Sequence, residues 1–135
     1  MSQLIETRQA TLERTTAEIV EIRFKPGLVL DKNGLDEVLA ERERFCSNTG
    51  KHAVLAIFPN DADFDLAVMT QDHYSGRKVV DCTRFLAVAA SSLMHERMAS
   101  LYFAYFPQTF TTRIFIEEAE ARTWLSAQLA ERSLN

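Results

Sequence analysis

The sequence is sparing with the residues that mark special chemistry or special surroundings. It has two cysteines, Cys46 and Cys82. Two are too few for a disulfide framework and their spacing fits no zinc pattern, so both are expected to be reduced in a cytoplasmic protein. Positive charge is scarce as well. The net charge is −4, and the nearest basic pairs, Arg42/Arg44 and Arg77/Lys78, sit among acids or stand alone. Nucleic-acid binding would need a basic face, and none is expected. No window offers the ~18 consecutive apolar residues that a membrane-spanning helix needs. The nearest, from Phe85 to Phe106, carries His95, Glu96 and Arg97 at its middle, which is expensive in lipid. The N-terminal MSQLIETRQATLERT is charged throughout and does not read as a secretory signal. A zinc-protease helix needs two histidines four apart, and position 99, four after His95, is alanine. No phosphate loop or nucleophile elbow is present. No cofactor and no enzymatic activity are expected.

What remains is a chain of 135 residues, enough for one domain with a real core. Residues 3 to 14 alternate weakly and read as a strand or an arm. In EIVEIRFK, Val20, Ile22 and Phe24 alternate with charged residues, the period-2 mark of a half-buried strand. Thr15-Thr16-Ala17 would join the two as an N-terminal hairpin. Pro26-Gly27 stops the strand, and Asp31 or Asn33 can cap a helix reaching about Ser47. Its apolar stripe is Leu35, Val38, Leu39, Phe45 and Cys46. Arg42 falls within that stripe and is expected to lay its stem on the core with its head in water. Asn48-Thr49-Gly50 supplies a stop, with Gly50 in a left-handed turn.

The continuous apolar run HAVLAIF (52–58) predicts a strand buried on both faces, and RFLAVAA (84–90) another. Between them, Thr70 can cap a helix over 71–81, which Gly76 weakens. Ser91-Ser92 caps a helix that Pro107 ends. At 100° per residue its Met94, Met98, Leu101, Tyr102 and Tyr105 share one face, expected to lie on the sheet, with Phe103 opposite. TTRIFI then gives a strand, and EEAEARTWLSAQLAE a helix with an Ala121, Trp124, Leu125, Leu129 stripe. Strands alternating with helices after a hairpin predict an α/β fold: a mostly parallel sheet with about four covering helices.

The wording of the C-terminal half, RFLAVAASS, then LYFAYFPQTF, then RIFIEEAEARTWL, resembles the SpoIIAA-like (STAS-like) small bacterial α/β proteins, nearest the STAS/SEC14-related group. The resemblance spans about residues 17–130 and is clearest toward the end. It implies a single STAS-like domain over 17–132, preceded by an N-terminal strand or arm (1–16), and a non-enzymatic regulatory module, often dimeric. The family's anti-sigma-factor antagonists carry an Asp-Ser-Ser-Gly type motif whose serine is phosphorylated. Here the loop after HAVLAIF is PNDADFD, without a hydroxyl. The nearest similar piece is Asp72-His73-Tyr74-Ser75-Gly76, where a phosphate on Ser75 would sit beside Arg77 and Lys78.

Three functional expectations follow. The first is a homodimeric protein-interaction or regulatory module that also meets a regulatory protein partner. Its interface would be Phe103 and Phe106 rimmed by Glu96 and Ser100, because exposed aromatics with a polar rim mark interaction surfaces. The second is a carrier of a small apolar or lipid-like ligand, with Met94, Met98 and Tyr102 lining a pocket between the aromatic helix and the sheet. The third is a small hydrolase built on Asp72, His73 or Cys82. His95-Glu96-Arg97 reads as a solvated face, and Asp72, His73, Tyr74 and Ser75 form the candidate ligand or switch cluster.

Overall fold

The computed structural model describes residues 3–49 and 51–133; Gly50, and with it the expected left-handed stop, lies outside them. In chain order the elements are β1 (Gln3–Glu6), β2 (Ala10–Arg14), β3 (Ile19–Phe24), β4 (Val29–Leu30), α1 (Lys32–Thr49), β5 (His52–Ile57), β6 (Asp63–Phe64), α2 (Leu66–Met69), α3 (Val79–Cys82), β7 (Thr83–Ala89), α4 (Leu93–Tyr105), β8 (Thr111–Phe115) and α5 (Glu118–Ser133). The main sheet has six strands in the order β1-β2-β3-β5-β7-β8. β1–β2 and β2–β3 are antiparallel, whereas β3–β5, β5–β7 and β7–β8 are parallel. The sheet is therefore mixed rather than mostly parallel. The expected hairpin is present, but residues 3–14 divide into two strands and make it a three-stranded meander. Thr7 makes that extra reversal, its backbone N–H donating to the Ala10 carbonyl at 2.8 Å. A second small sheet pairs β4 with β6.

All six residues of β5 are buried, as their continuous apolar run requires. Alternation then sorts them. Val54 and Ala56 join a core with Val38, Leu39 and Phe45 of α1, Leu86 and Val88 of β7 and Tyr102 of α4. Ala53, Leu55 and Ile57 face the other way, onto Ala121 and Leu125 of α5. Trp124 and Leu129 pack there as well, so the stripe read for α5 meets the sheet. Asp31 proves to be the α1 cap, its Oδ1 accepting from the Gly34 N–H at 2.7 Å.

The expected helix over 71–81 does not form. Gly76 has φ +73°, a left-handed conformation that interrupts a helix, and residues 71–78 run as turns before the short α3. The covering helices among the described residues are accordingly five, two of them of four residues.

Two further expectations are corrected. Cys46 and Cys82 are joined by a disulfide, with Cα atoms 5.9 Å apart, so the case for a reduced pair falls, and with it the argument that drew a cytoplasmic location from them. Cys46 lies on the core face of α1 and Cys82 at the end of α3. Their meeting is a tertiary fact across a separation of 36 residues, invisible to spacing rules. Arg42 does not reach water. Its side chain is 1% exposed.

Glu21 of β3 ties α5 to the sheet. Arg122 donates to both of its carboxylate oxygens at 2.8 Å, and Arg122 and Arg23 also meet Glu118. The hydrogen bonds from Arg122 hold the Glu21 carboxyl below its ordinary value of 4.5 against the opposing effect of burial.

A depressed carboxylate stabilises above its unfolded pKa and loses that contribution as pH falls through the folded one. Glu21→Gln should therefore cost about 1–2 kcal/mol near neutral pH. In urea titrations the gap to the parent protein should close below about pH 4.5; a gap independent of pH would refute this role for Glu21. For the disulfide, closing a loop of this length is worth about 4 kcal/mol in the chain-entropy picture, with typical losses of about 2–4 kcal/mol. Replacing both cysteines by alanine should lower the urea midpoint accordingly, and an unchanged midpoint would show that the bond is not formed in solution.

Candidate functional site

Helix α4 begins where expected. Ser92 is extended, and its hydroxyl accepts from the His95 N–H at 3.1 Å. Ser91 before it has φ 72°, a strained conformation for a residue with a Cβ. That strain is offset by its own N–H donating to the Ile116 carbonyl at 2.9 Å and by its hydroxyl donating to the Phe58 carbonyl. The helix ends at Phe106, whose N–H reaches the Tyr102 carbonyl.

Which face it buries is the main correction. His95 and Tyr102 are buried, and Phe103 and Phe106 pack half-buried against the core. Met94 is 61% exposed, Leu101 53% and Tyr105 72%. The helix is thus turned by about a quarter-turn from the expectation: of the face assigned to the sheet only Tyr102 is buried, while the phenylalanines assigned to solvent point inward. His95, read as part of a solvated face, meets the Phe64 ring edge-on at 5.5 Å; neither of its ring nitrogens has a hydrogen-bond partner. Glu96 accepts from the Ser100 hydroxyl at 3.0 Å on the outer side. Phe103 lies under Tyr74, ring centroids 6.0 Å apart. Phe64 and Met69 of the FDLAVM segment pack on the same core, whereas the rings that meet Phe103 and Phe106 are those of Tyr74 and Tyr102.

Between this buried face of α4, α1 and the sheet lies a space of about 100 Å³. Its walls are Val54 and Ala56 of β5, Leu86 and Val88 of β7, and Tyr102 and Phe103 of α4. Val38 and Leu39 of α1, Ile22 and Phe24 of β3 and the FDLAVM segment add to them. Of the three expected lining residues, Tyr102 is there and Met94 and Met98 are not.

One residue of high cost lines the same space: Arg42. Its Nη2 donates to the Thr83 hydroxyl at 2.5 Å, and its Nε has no partner. Burial pushes its pKa down, with Tyr74 and Glu43 opposing. Glu43 itself is engaged by Arg77 at 3.1 Å and by the Val79 N–H.

The Asp72–Ser75 cluster forms a turn that closes one side of this site. Asp72 Oδ1 accepts from the Tyr74 N–H at 3.0 Å and from Gln108 at 3.1 Å. The Tyr102 hydroxyl donates to the Gln71 carbonyl at 2.9 Å and accepts from the His73 N–H at 3.1 Å, pinning the turn to α4. Burial pushes that hydroxyl's pKa up to about 12. The His73 ring lies within hydrogen-bond reach of the Val68 carbonyl, 3.0 Å from Nε2, and stacks beside Tyr102. Cys82, its expected nucleophilic companion, is held in the disulfide. Ser75 is exposed, but Arg77 is already paired with Asp36 and Glu43. Among the described residues no group of three or more His, Cys, Asp or Glu could hold a metal, and no helix is long and apolar enough to cross a membrane.

Sequence reasoning missed Arg42. The available signal was its place in an apolar helical stripe.

Phe103→Asp should now cost about 3 kcal/mol or more, because it puts a charge against the core. Leu101→Asp, on the outer face, should change stability by no more than about 0.5 kcal/mol. Chemical denaturation of the two variants separates the orientations, and the reverse ranking would restore the outward Phe103. No family model, curated protein or solved structure matches the chain, so function is argued from this geometry.

Proposed function

We propose that the protein is a non-enzymatic binding module that holds a small apolar molecule between α4 and the sheet. The observation that carries this is the space of about 100 Å³ walled by aliphatic and aromatic side chains from β5, β7, α1 and α4. A well-packed core leaves few voids larger than a water molecule, and an apolar cavity of about 150 Å³ takes up benzene. The cover includes short elements, α2 and the 71–78 turn, which need move little to admit a guest. The SpoIIAA-like resemblance belongs to the same proposal, supported by the succession of β7, α4, β8 and α5.

A second reading keeps the homodimeric or partner-binding module and moves its interface. Met94, Leu101 and Tyr105 lie on one outer face of α4, each more than half exposed. A contiguous apolar patch on a helix suits a second copy of the chain.

The test is 1-hexanol titrated into methyl-labelled protein, with native mass recorded on the same sample. Saturable shifts at Val54, Leu86 and Val88, with a rise in Tm by mass action, are the expected result. No shift up to the solubility limit would sink the binding module. A dimer that Leu101→Asp dissociates would favour the second reading, and a monomer at all concentrations would remove it.

A further inference from the structure

An apolar cavity would be served by apolar walls alone, yet Arg42 is part of the wall of this one. An arginine cannot shed its proton to escape burial. A buried cation without a paired anion is among the costlier arrangements in a protein interior. Arg42 is 1% exposed and has no ion pair among the described residues. Its one hydrogen bond goes to the neutral Thr83 hydroxyl, which is itself fixed by donating to the Val79 carbonyl at 2.7 Å. Nε is left without an acceptor. The nearest carboxylate in sequence, Glu43, is drawn off by Arg77 and the Val79 N–H. Both Arg42 and Tyr74 line the cavity. The site therefore has an apolar body and, in its wall, a buried arginine with an unused Nε donor.

We propose that the ligand is a small amphiphilic acid: an apolar ring or chain of about six carbons bearing a carboxylate that pairs with Arg42. The inference rests on the cavity being the binding site and adds the charge of what it binds. The acid's tail would lie against Val54, Leu86 and Phe103, and its carboxylate would accept from the guanidinium, a charge-assisted contact that gains strength away from water. The apolar walls alone do not distinguish an acid from an alcohol; Arg42 does.

Hexanoate and 1-hexanol are matched probes, with the same chain length and different heads. Titrated at pH 7 by calorimetry and by the methyl shifts of Val54 and Leu86, hexanoate should bind about ten-fold or more tightly than hexanol. Arg42→Met, which keeps the length and removes the charge, should abolish that preference while retaining hexanol. Equal or tighter binding of hexanol by the parent protein would overturn the acid and leave the apolar module standing. If neither probe shifts the methyls, both proposals fall together. A hexanoate preference that survives Arg42→Met would also overturn the assignment, since another group would then be reading the carboxylate. The comparison of the two probes on the parent protein needs no variant, so it decides the matter even if Arg42→Met does not fold.

Discussion

Strand β5 has no solvent side, and most of the architecture answers that constraint. Ala53, Leu55 and Ile57 need cover on one face, and Val54 and Ala56 on the other. A strand buried on both faces must lie inside its sheet, flanked by other strands, with helices above and below. β3 and β7 supply the flanks, α5 the first cover, and α1 with α4 the second. The polar ties sit where the apolar cover ends. Glu21 and Arg122 join β3 to α5 at the margin of one layer, and the disulfide joins α1 to the end of α3 in the other.

The two faces are not packed alike. Against α5 the sheet offers Ala53, Ala87 and Ala89 among Leu55, Ile57 and Phe85, and one regular helix covers them. The opposite face is covered piecewise, by α1, two short segments and α4, with bulky rings at the joints. Phe24 stacks on Phe58 at 4.2 Å, and Tyr102 meets Phe103 and Phe106 at 5.1 and 5.2 Å. Large flat groups from separate elements fill space less completely than one regular helix, and the cavity is what they leave. Arg42 at its wall is hard to explain by stability, since an apolar residue of similar size would avoid the desolvation cost. Groups that break the rules of stability in this way are expected at functional or strained sites.

The strands and the two ends of α4 were legible because they rest on local physics. β5 and β7 announce themselves as apolar runs between turn residues, and Ser92 and Pro107 bound α4 by hydrogen bonding and by the missing N–H. The face of α4 was not legible. Met94, Leu101 and Tyr105 make one apolar stripe, while Ala99, Phe103 and Phe106 make another, so periodicity alone could not choose between them. The helix expected over 71–81 failed for a local reason: Gly76 takes a left-handed turn, and the Tyr102 hydroxyl holds the segment in place from 31 residues away.

By itself, then, the amino-acid order determined the longer elements, β3, α1, β5, β7, α4, β8 and α5, and that strands would alternate with helices. These follow from side-chain period, capping and turn chemistry within a few residues. Only the tertiary structure decided which side of α4 meets the sheet, that Cys46 lies against Cys82, and that the Arg42 head stays inside. Each of those depends on what arrives from a distant part of the chain. Tyr74 meets Phe103, α3 brings Cys82 to α1, and Thr83 offers a hydroxyl where water was expected. Burial is a property of the assembled neighbours, and no local pattern carries it.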